Sequence, residues 1–384
     1  MTDEFLEKNF EALFEQAPEV VGYAPGRVNI MGDHTDYNEG FVLPAAIQMG
    51  TSIAASRRDD NRICAFAEGF THTIDQFSLD TIKFCHNEMW RNYVRGTLQC
   101  LRQHSDQFSG MNLYIAGNVP QGAGLSSSAS FEIALLKTVA DLYSLDLAGV
   151  DAALIGQRAE NSFVGCNCGI MDQLVSAMGL ENHAMLLDCR DLSIKDAPLP
   201  AEVAILVVNS NVKRGLVDSE YNSRRAQCEA VTQTLGVSAL RDLCLDQLHD
   251  GQSTLSDEQF RRARHVITEN HRTVEAMAAM QANDLYRLGR LMAESHASLR
   301  DDYQVSTSEL DVLVEIMSTA IGARGGARMT GGGFGGCVVG LMPEQKVAEV
   351  TAAVQQMYPQ RTGLKSDIYQ CTASMGAFRK QGID

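Results

Sequence analysis

The stretch "GNVPQGAGLSSSAS", residues 117–130, decides how the rest of the chain reads. A strand pattern, "MNLYIAGN" (Met111–Asn118), leads into it. A helical pattern leads out, with Phe131, Leu135, Val139 and Leu142 on one face. Its glycines let a backbone approach a ligand closely and adopt positive φ. Serines just before an apolar-periodic run are helix N-cap residues. Free N–H groups and the positive end of the helix dipole then make an anion site. The logic is that of a P-loop, yet no Gly-Lys pair occurs anywhere in the chain. Backbone amides from Gly122, Ala123, Gly124, Leu125, Ser126, Ser127 and Ser128 must therefore carry the phosphates, with hydroxyls and a metal supplying the rest. A simple capped turn is the competing reading.

Two further stretches stand out. "GRVNIMGDHTDYNEG" (Gly26–Gly40) places Arg27, Asp33, His34, Asp36, Tyr37 and Asn38 just after a mostly apolar strand. Carboxylates, imidazole and amide together suit a ligand rich in hydroxyls, because each hydroxyl both donates and accepts. A metal site built from Asp33, His34 and Asp36, or a bland polar turn, are the alternatives. "MTGGGFGGC" (Met329–Cys337) formally contains GxGxxG, but a strand, "CVVGLM", follows it where a dinucleotide fold needs a helix. So many glycines suit a thin loop packed on another backbone or a nucleotide, or else a flexible connector.

The chain has 384 residues, 45% of them apolar and 21% charged, enough for two globular domains with sizeable cores. A formal net charge of -16 repels phosphate backbones and argues against nucleic acid as a partner. Arg224–Arg225 and Arg261–Arg264 lie in helical patterns and read as solvated faces. Ten cysteines occur without a CxxC pair, and "CNC" at Cys166–Cys168 is too tight for a zinc half-site, so reduced thiols are expected. The N-terminus lacks a signal pattern and no apolar run reaches membrane-spanning length, so a cytoplasmic, soluble protein is expected.

Along the chain, Val20–Ile30 reads as a strand broken at Pro25-Gly26. Helical pieces flank the Cys166–Gly169 turn, and a second half opens near Pro198 and Pro200 with the buried strand "VAILVVNS". A helical hairpin from about Arg261 to Asp302 breaks near Asn283-Asp284. Helices and strands interleave without a βαβ rhythm, which gives an α+β assignment.

The three stretches, in this order, resemble the signature motifs of the GHMP kinases, and "GRVNIMGDHTDYN" is similar to the signature of their galactokinase branch. "FVGCNCGIMDQ" and "VNSNVKRGLVDSEYNSRRAQCE" are similar to segments of the same branch, so the likeness runs from about Ala24 to the last strand. It implies an N-terminal domain of the ribosomal-protein-S5-domain-2 type over residues 1–195. A C-terminal α+β, ferredoxin-like domain follows over residues 196–384, with the active site in the cleft between them. It implies transfer of ATP's γ-phosphoryl group to the anomeric hydroxyl of α-D-galactose, with Mg²⁺ held by Ser128 and Glu160. Asp172 is then the proton acceptor and Arg27 the transition-state stabiliser. Galactose is met by Asp33, His34, Thr35, Asp36 and Tyr221.

From the residues alone, Glu160 would read as an exposed helix carboxylate and Asp172 as an acid at a helix start. The chain departs from the branch at Asp33, where Glu is usual. The shorter side chain loses roughly 1.5 Å of reach, and weaker galactose binding than in an Asp33→Glu variant is expected. A kinase for galactosamine or N-acetylgalactosamine, and a non-catalytic galactose and ATP sensor, are the alternatives. The intact "GLSSSAS" loop speaks against the sensor. ATP and galactose are the expected partners, with a monomer and no obligate protein partner.

Overall fold

The computed structural model describes residues 2–70, 72–120, 122–200, 202–212 and 217–380. Helix α1 (Asp3–Phe14) is capped by the Thr2 hydroxyl. Strands β1 (Val20–Met31) and β2 (Phe41–Arg57) follow, then β3 (Arg62–Ala67) and β4 (Asp75–Ser78). After α2 (Met89–His104) come β5 (Met111–Gly117), α3 (Ser127–Tyr143), α4 (Gly149–Ala159) and α5 (Met171–Met178). Strands β6 (His183–Asp188) and β7 (Ile194–Pro198) complete the first half.

These strands form one seven-stranded sheet, ordered β4-β3-β5-β2-β6-β7, with β1 on β2. Helices α2 to α5 bury their apolar faces on it; Leu135, Val139 and Leu142 enter that core as their spacing predicts. β1 is not broken at Pro25-Gly26. Proline lacks the N–H that a ladder needs, and the strand absorbs it as a register shift between Pro25 and Arg27. A second shift lies between Asn29 and Met31. Between the two irregularities the strand aims Arg27 and Asn29 toward the site.

The second half starts with β8 (Val203–Asn209) and α6 (Val217–Leu235), then α7 (Leu245–Asp250), α8 (Asp257–Gln281), α9 (Leu285–Ser298) and α10 (Ser308–Ile321). Strands β9 (Gly326–Thr330) and β10 (Cys337–Pro343), helix α11 (Val347–Thr362) and strand β11 (Asp367–Cys371) end it. The sheet order β11-β8-β10-β9 is antiparallel throughout, as expected of a ferredoxin-like domain. The hairpin break falls where it was expected: Asp284 caps α9 by accepting from the Arg287 N–H. The expected boundary between 195 and 196 falls inside β7, so the first sheet runs on to Pro198.

One apolar core joins the halves. It takes Val28, Ile30 and Leu43 from the first sheet, Ile205, Val207 and Val339 from the second, and Met277, Leu288 and Met292 from α8 and α9. That shared core fixes β1 against the second sheet, and the site lies along this seam. Among the described residues no helix is long and apolar enough to cross a membrane.

Candidate active site

A cavity of about 450 Å³ opens where the three signature stretches meet. Arg27 and Asp172 line it together, from strand β1 and the first turn of α5. The guanidinium grips the carboxylate with two bonds, Nε to Oδ1 and Nη2 to Oδ2, both 2.7 Å. Such paired bonds fix orientation as well as distance. Arg27 Nη1 also donates to the Gly124 carbonyl at 2.5 Å, tying the pair to the glycine loop. Asp172 Oδ2 accepts the Ser126 hydroxyl as well. Among the described residues Oδ1 carries the Arg27 bond alone, which leaves one of its lone pairs available.

The glycine loop reaches the cavity through Gly122, Gly124, Leu125, Ser126, Ser127 and Ser128. Positive φ at Gly122 (69°) and Gly124 (77°) explains the glycines. The serines do not cap in the expected way. Ser126 stands at the N-cap with φ 58°, makes no side-chain cap bond, and gives its hydroxyl to Asp172 instead. The first amides of α3 therefore stay free for a ligand. Ala123 is fully buried in the seam core, so it can contribute only its backbone. Gln121 lies outside the described residues.

The other glycine-rich stretch packs on this loop. A Cβ at Gly331, where φ is 81°, would stand 3.3 Å from the Gly124 carbonyl oxygen. Close backbone approach, not flexibility, accounts for that glycine. Gly331 and Gly332 both line the cavity.

The polyol-type loop supplies the opposite wall. His34, Asp36 and Tyr221 line the cavity. His34 takes a left-handed conformation (φ 66°), a strained choice for a side chain so large. Its Nδ1 lies 2.9 Å from the Tyr37 hydroxyl, and the ring also meets the Gly332 backbone. Burial, helped by the charges of His265 and Arg224, lowers His34 to about 3, so the ring is neutral near pH 7. Asp36 is pushed up to about 7 by burial and then by the charge of Asp172. Gly169 makes room for it: a Cβ there would stand 1.9 Å from Asp36 Oδ2.

Asp33 also borders the cavity, but its carboxylate is heavily committed. Oδ1 accepts from Asn29 Nδ2 at 2.9 Å and from the Gly331 N–H at 3.2 Å, and Oδ2 from Arg328 Nη2. Thr35 does not reach the cavity. Its fully buried hydroxyl lies 2.7 Å from the carbonyls of Gly32 and Phe41, where it staples the loop shut. The contiguous "DHTD" motif hid this: Asp33, His34 and Asp36 line the cavity while the Thr35 side chain turns into the loop.

Glu160 is buried, not exposed: it continues the buried face of α4 set by Ala152, Ala153 and Gly156, and a π-turn over Glu160–Val164 begins at it. It accepts from the Ser128 hydroxyl, and burial followed by the charge of Asp172 pushes it up to about 7. An adjacent hydroxyl and carboxylate offer hard oxygens, and the crowded negative charge favours a cation. Among the described residues no three His, Cys, Asp or Glu side chains cluster as a metal cage. The Ser128–Glu160 pair would fit a cation that takes few protein oxygens.

Several positioning residues escaped the sequence reading. Arg328 of β9 is fully buried and bonds Asp33 and, at 3.1 Å, the Ile30 carbonyl. Glu269 of α8 accepts the Gly32 N–H at 3.1 Å. His265 of α8 lies 3.1 Å from the Asp33 carbonyl through Nε2 and 2.9 Å from the Ser298 hydroxyl through Nδ1. Burial lowers His265 to about 4, although the Glu269 charge opposes this. Its unfolded value is near 6.5. The stability it contributes is complete above that value and is lost as pH falls toward 4. Between pH 7 and 5 the native protein should therefore lose about 2 kcal/mol more than a His265→Asn variant. Urea unfolding at both pH values checks this, and equal losses would contradict it.

A phosphate loop without lysine, a carboxylate clamped by arginine and a wall of hydroxyl-binding groups define a small-molecule kinase of the GHMP class. Family models agree. The galactokinase galactose-binding signature matches residues 8–57, the GHMP kinase N-terminal domain 92–180 and the GHMP kinase C-terminal domain 276–360. The crystal structure of Lactococcus lactis galactokinase complexed with galactose superposes with a TM-score of 0.92 at 34% identity, covering 97% of this chain and 98% of that one. A mevalonate kinase from Methanococcus jannaschii shares the fold at 18% identity, with a TM-score of 0.63 over 92% and 98% of the two chains. The chain belongs to the galactokinase family.

Proposed function

We propose that this galactokinase transfers the γ-phosphoryl group of ATP to the anomeric hydroxyl of α-D-galactose, giving α-D-galactose 1-phosphate and ADP, with Asp172 as proton acceptor. One observation carries the reading. Asp172, held by Arg27 and Ser126, lines the same cavity as the start of α3 and as His34, Asp36 and Tyr221. Phosphoryl transfer asks mainly for placement and charge stabilisation. Oδ1 of Asp172 receives the hydroxyl proton as the sugar oxygen attacks. Arg27 keeps N–H groups beyond those bonded to Asp172 and Gly124, and these face the developing negative charge. Ser128 and Glu160 would hold Mg²⁺, which neutralises phosphate charge when bound.

The nucleotide base has a place as well. A pocket of about 290 Å³ shares Gly122, Ser127 and Ser128 with the main cavity, and Trp90, Tyr93, Phe70 and Phe131 line it. Aromatic walls suit stacking on a purine. Trp90 Nε1 is buried without a protein partner, a donor available to a ring nitrogen.

An ADP-release assay with galactose, galactosamine and N-acetylgalactosamine tests the reading. Galactose should give the highest kcat/KM, and no ADP above background with galactose would sink it. At Asp33 the usual glutamate would reach further toward the sugar. Asp33→Glu should lower KM for galactose, and should also lower Tm, because another methylene must fit where three donors converge. A KM unchanged or raised would contradict the first expectation.

A further inference from the structure

We propose that Glu132 is a positioning residue for Glu160, acting through Gln173. The proposal rests on the reading of Glu160 as a cation ligand and adds how that ligand is held. Glu132 lies one turn beyond Ser128 on α3 and is fully buried. An acid there costs stability unless it serves something.

Its protein bond is to Gln173 of α5, whose Nε2 lies 3.0 Å from Glu132 Oε2. The same nitrogen lies 2.7 Å from Glu160 Oε2. An amide nitrogen has two hydrogens, and these two acids take both. Helix α4 makes space for the arrangement: a Cβ at Gly156 would stand 3.2 Å from Gln173 Cγ and 3.4 Å from Glu132 Oε2.

The two remaining oxygens are also telling. Glu132 Oε1 and Gln173 Oε1 are both buried without partners. Burial, and then the charge of Glu160, push Glu132 well above the usual carboxylate range. A neutral Glu132 can donate from Oε1 to Gln173 Oε1 and close a two-bond acid–amide pair. That pair fixes which end of the amide meets Glu160. Turned over, Gln173 would set its carbonyl oxygen against a carboxylate. Held as it is, Gln173 engages Glu160 Oε2, and Oε1, whose printed contact is a long 3.5 Å bond from the Tyr93 hydroxyl, is the oxygen offered to the cation. Partners of this outer kind are worth about 10–100-fold in metal affinity.

The test measures Mn²⁺ binding by electron paramagnetic resonance in the presence of ADP, without turnover, alongside galactose binding by calorimetry. Glu132→Leu should weaken Mn²⁺ binding about tenfold or more and leave galactose binding unchanged. Glu132→Gln can form the same two bonds and should stay within about threefold of the native protein, on the scale set by outer-partner losses. Native affinity in a folded Glu132→Leu protein overturns the proposal, and so does a loss in Glu132→Gln as large as in Glu132→Leu. If Glu132→Leu does not fold, Gln173→Met takes its place, with the same tenfold loss supporting the idea and native affinity refuting it. Glu160→Gln separates the premises. If it leaves Mn²⁺ binding intact, the cation reading itself fails; if it weakens binding while Glu132→Leu does not, only the positioning role fails.

Discussion

Asp172→Asn should lower kcat by about 10²–10⁴-fold, the usual worth of a positioned base. The amide keeps the shape of the carboxylate, and its one oxygen can still accept from Ser126 and Arg27 Nη2, but its NH2 cannot accept from Arg27 Nε. What it loses is the capacity to take the sugar proton at Oδ1. The loss should appear in kcat more than in KM, because substrate binding rests on other groups. Steady-state kinetics at saturating ATP and galactose, with Tm measured in parallel, check it. A folded variant within tenfold of native turnover would remove Asp172 from the proton path and leave placement alone to explain catalysis.

Arg328→Met should destabilise the protein by about 3–5 kcal/mol, the cost of breaking a buried pair from one side. The guanidinium is fully buried, and its partner Asp33 is nearly so. Removing it strips a buried carboxylate of its charge partner, at the junction of the Asp33–Tyr37 loop, β1 and the Gly331 turn. Burial already opposes ionisation of Asp33, with the Arg328 charge foremost among the influences that counter it. The double variant Arg328→Met with Asp33→Asn should regain part of the loss, since the stranded charge is gone. Urea unfolding of the native protein and both variants measures this. A loss under about 1 kcal/mol, the level of a surface ion pair, would mean that the pair is not what clasps the two halves.

Much of the site could be read from the chain because its chemistry is concentrated in short segments. The glycines of the phosphate loop, the arginine on β1 and the aspartate opening α5 each sit in local patterns that dictate backbone shape. Their convergence followed from the family likeness, not from spacing. What the sequence concealed was long-range support. Arg328 meets Asp33 from almost the far end of the chain, and His265 and Glu269 hold the polyol loop from a helix that reads as an ordinary amphipathic one. Nothing in a periodicity pattern marks a buried arginine as a clasp. Glu160 misled for a local reason: it shares the buried face of its helix with Ala152 and Gly156, but a carboxylate on such a face reads as exposed until its partners are known. Thr35 shows that adjacency in a motif does not put every side chain on the cavity, since its hydroxyl closes the turn.

The central claim is that Asp172, Arg27 and an amide-lined loop without lysine bring ATP's terminal phosphate to the anomeric oxygen of galactose. Phosphorus NMR of a mixture of the protein, ATP, Mg²⁺ and galactose tests it most directly. The account predicts a new phosphate ester coupled to the α-anomeric proton, growing in step with ADP. An ester on the C6 oxygen, or ADP and free phosphate without any sugar ester, would contradict it.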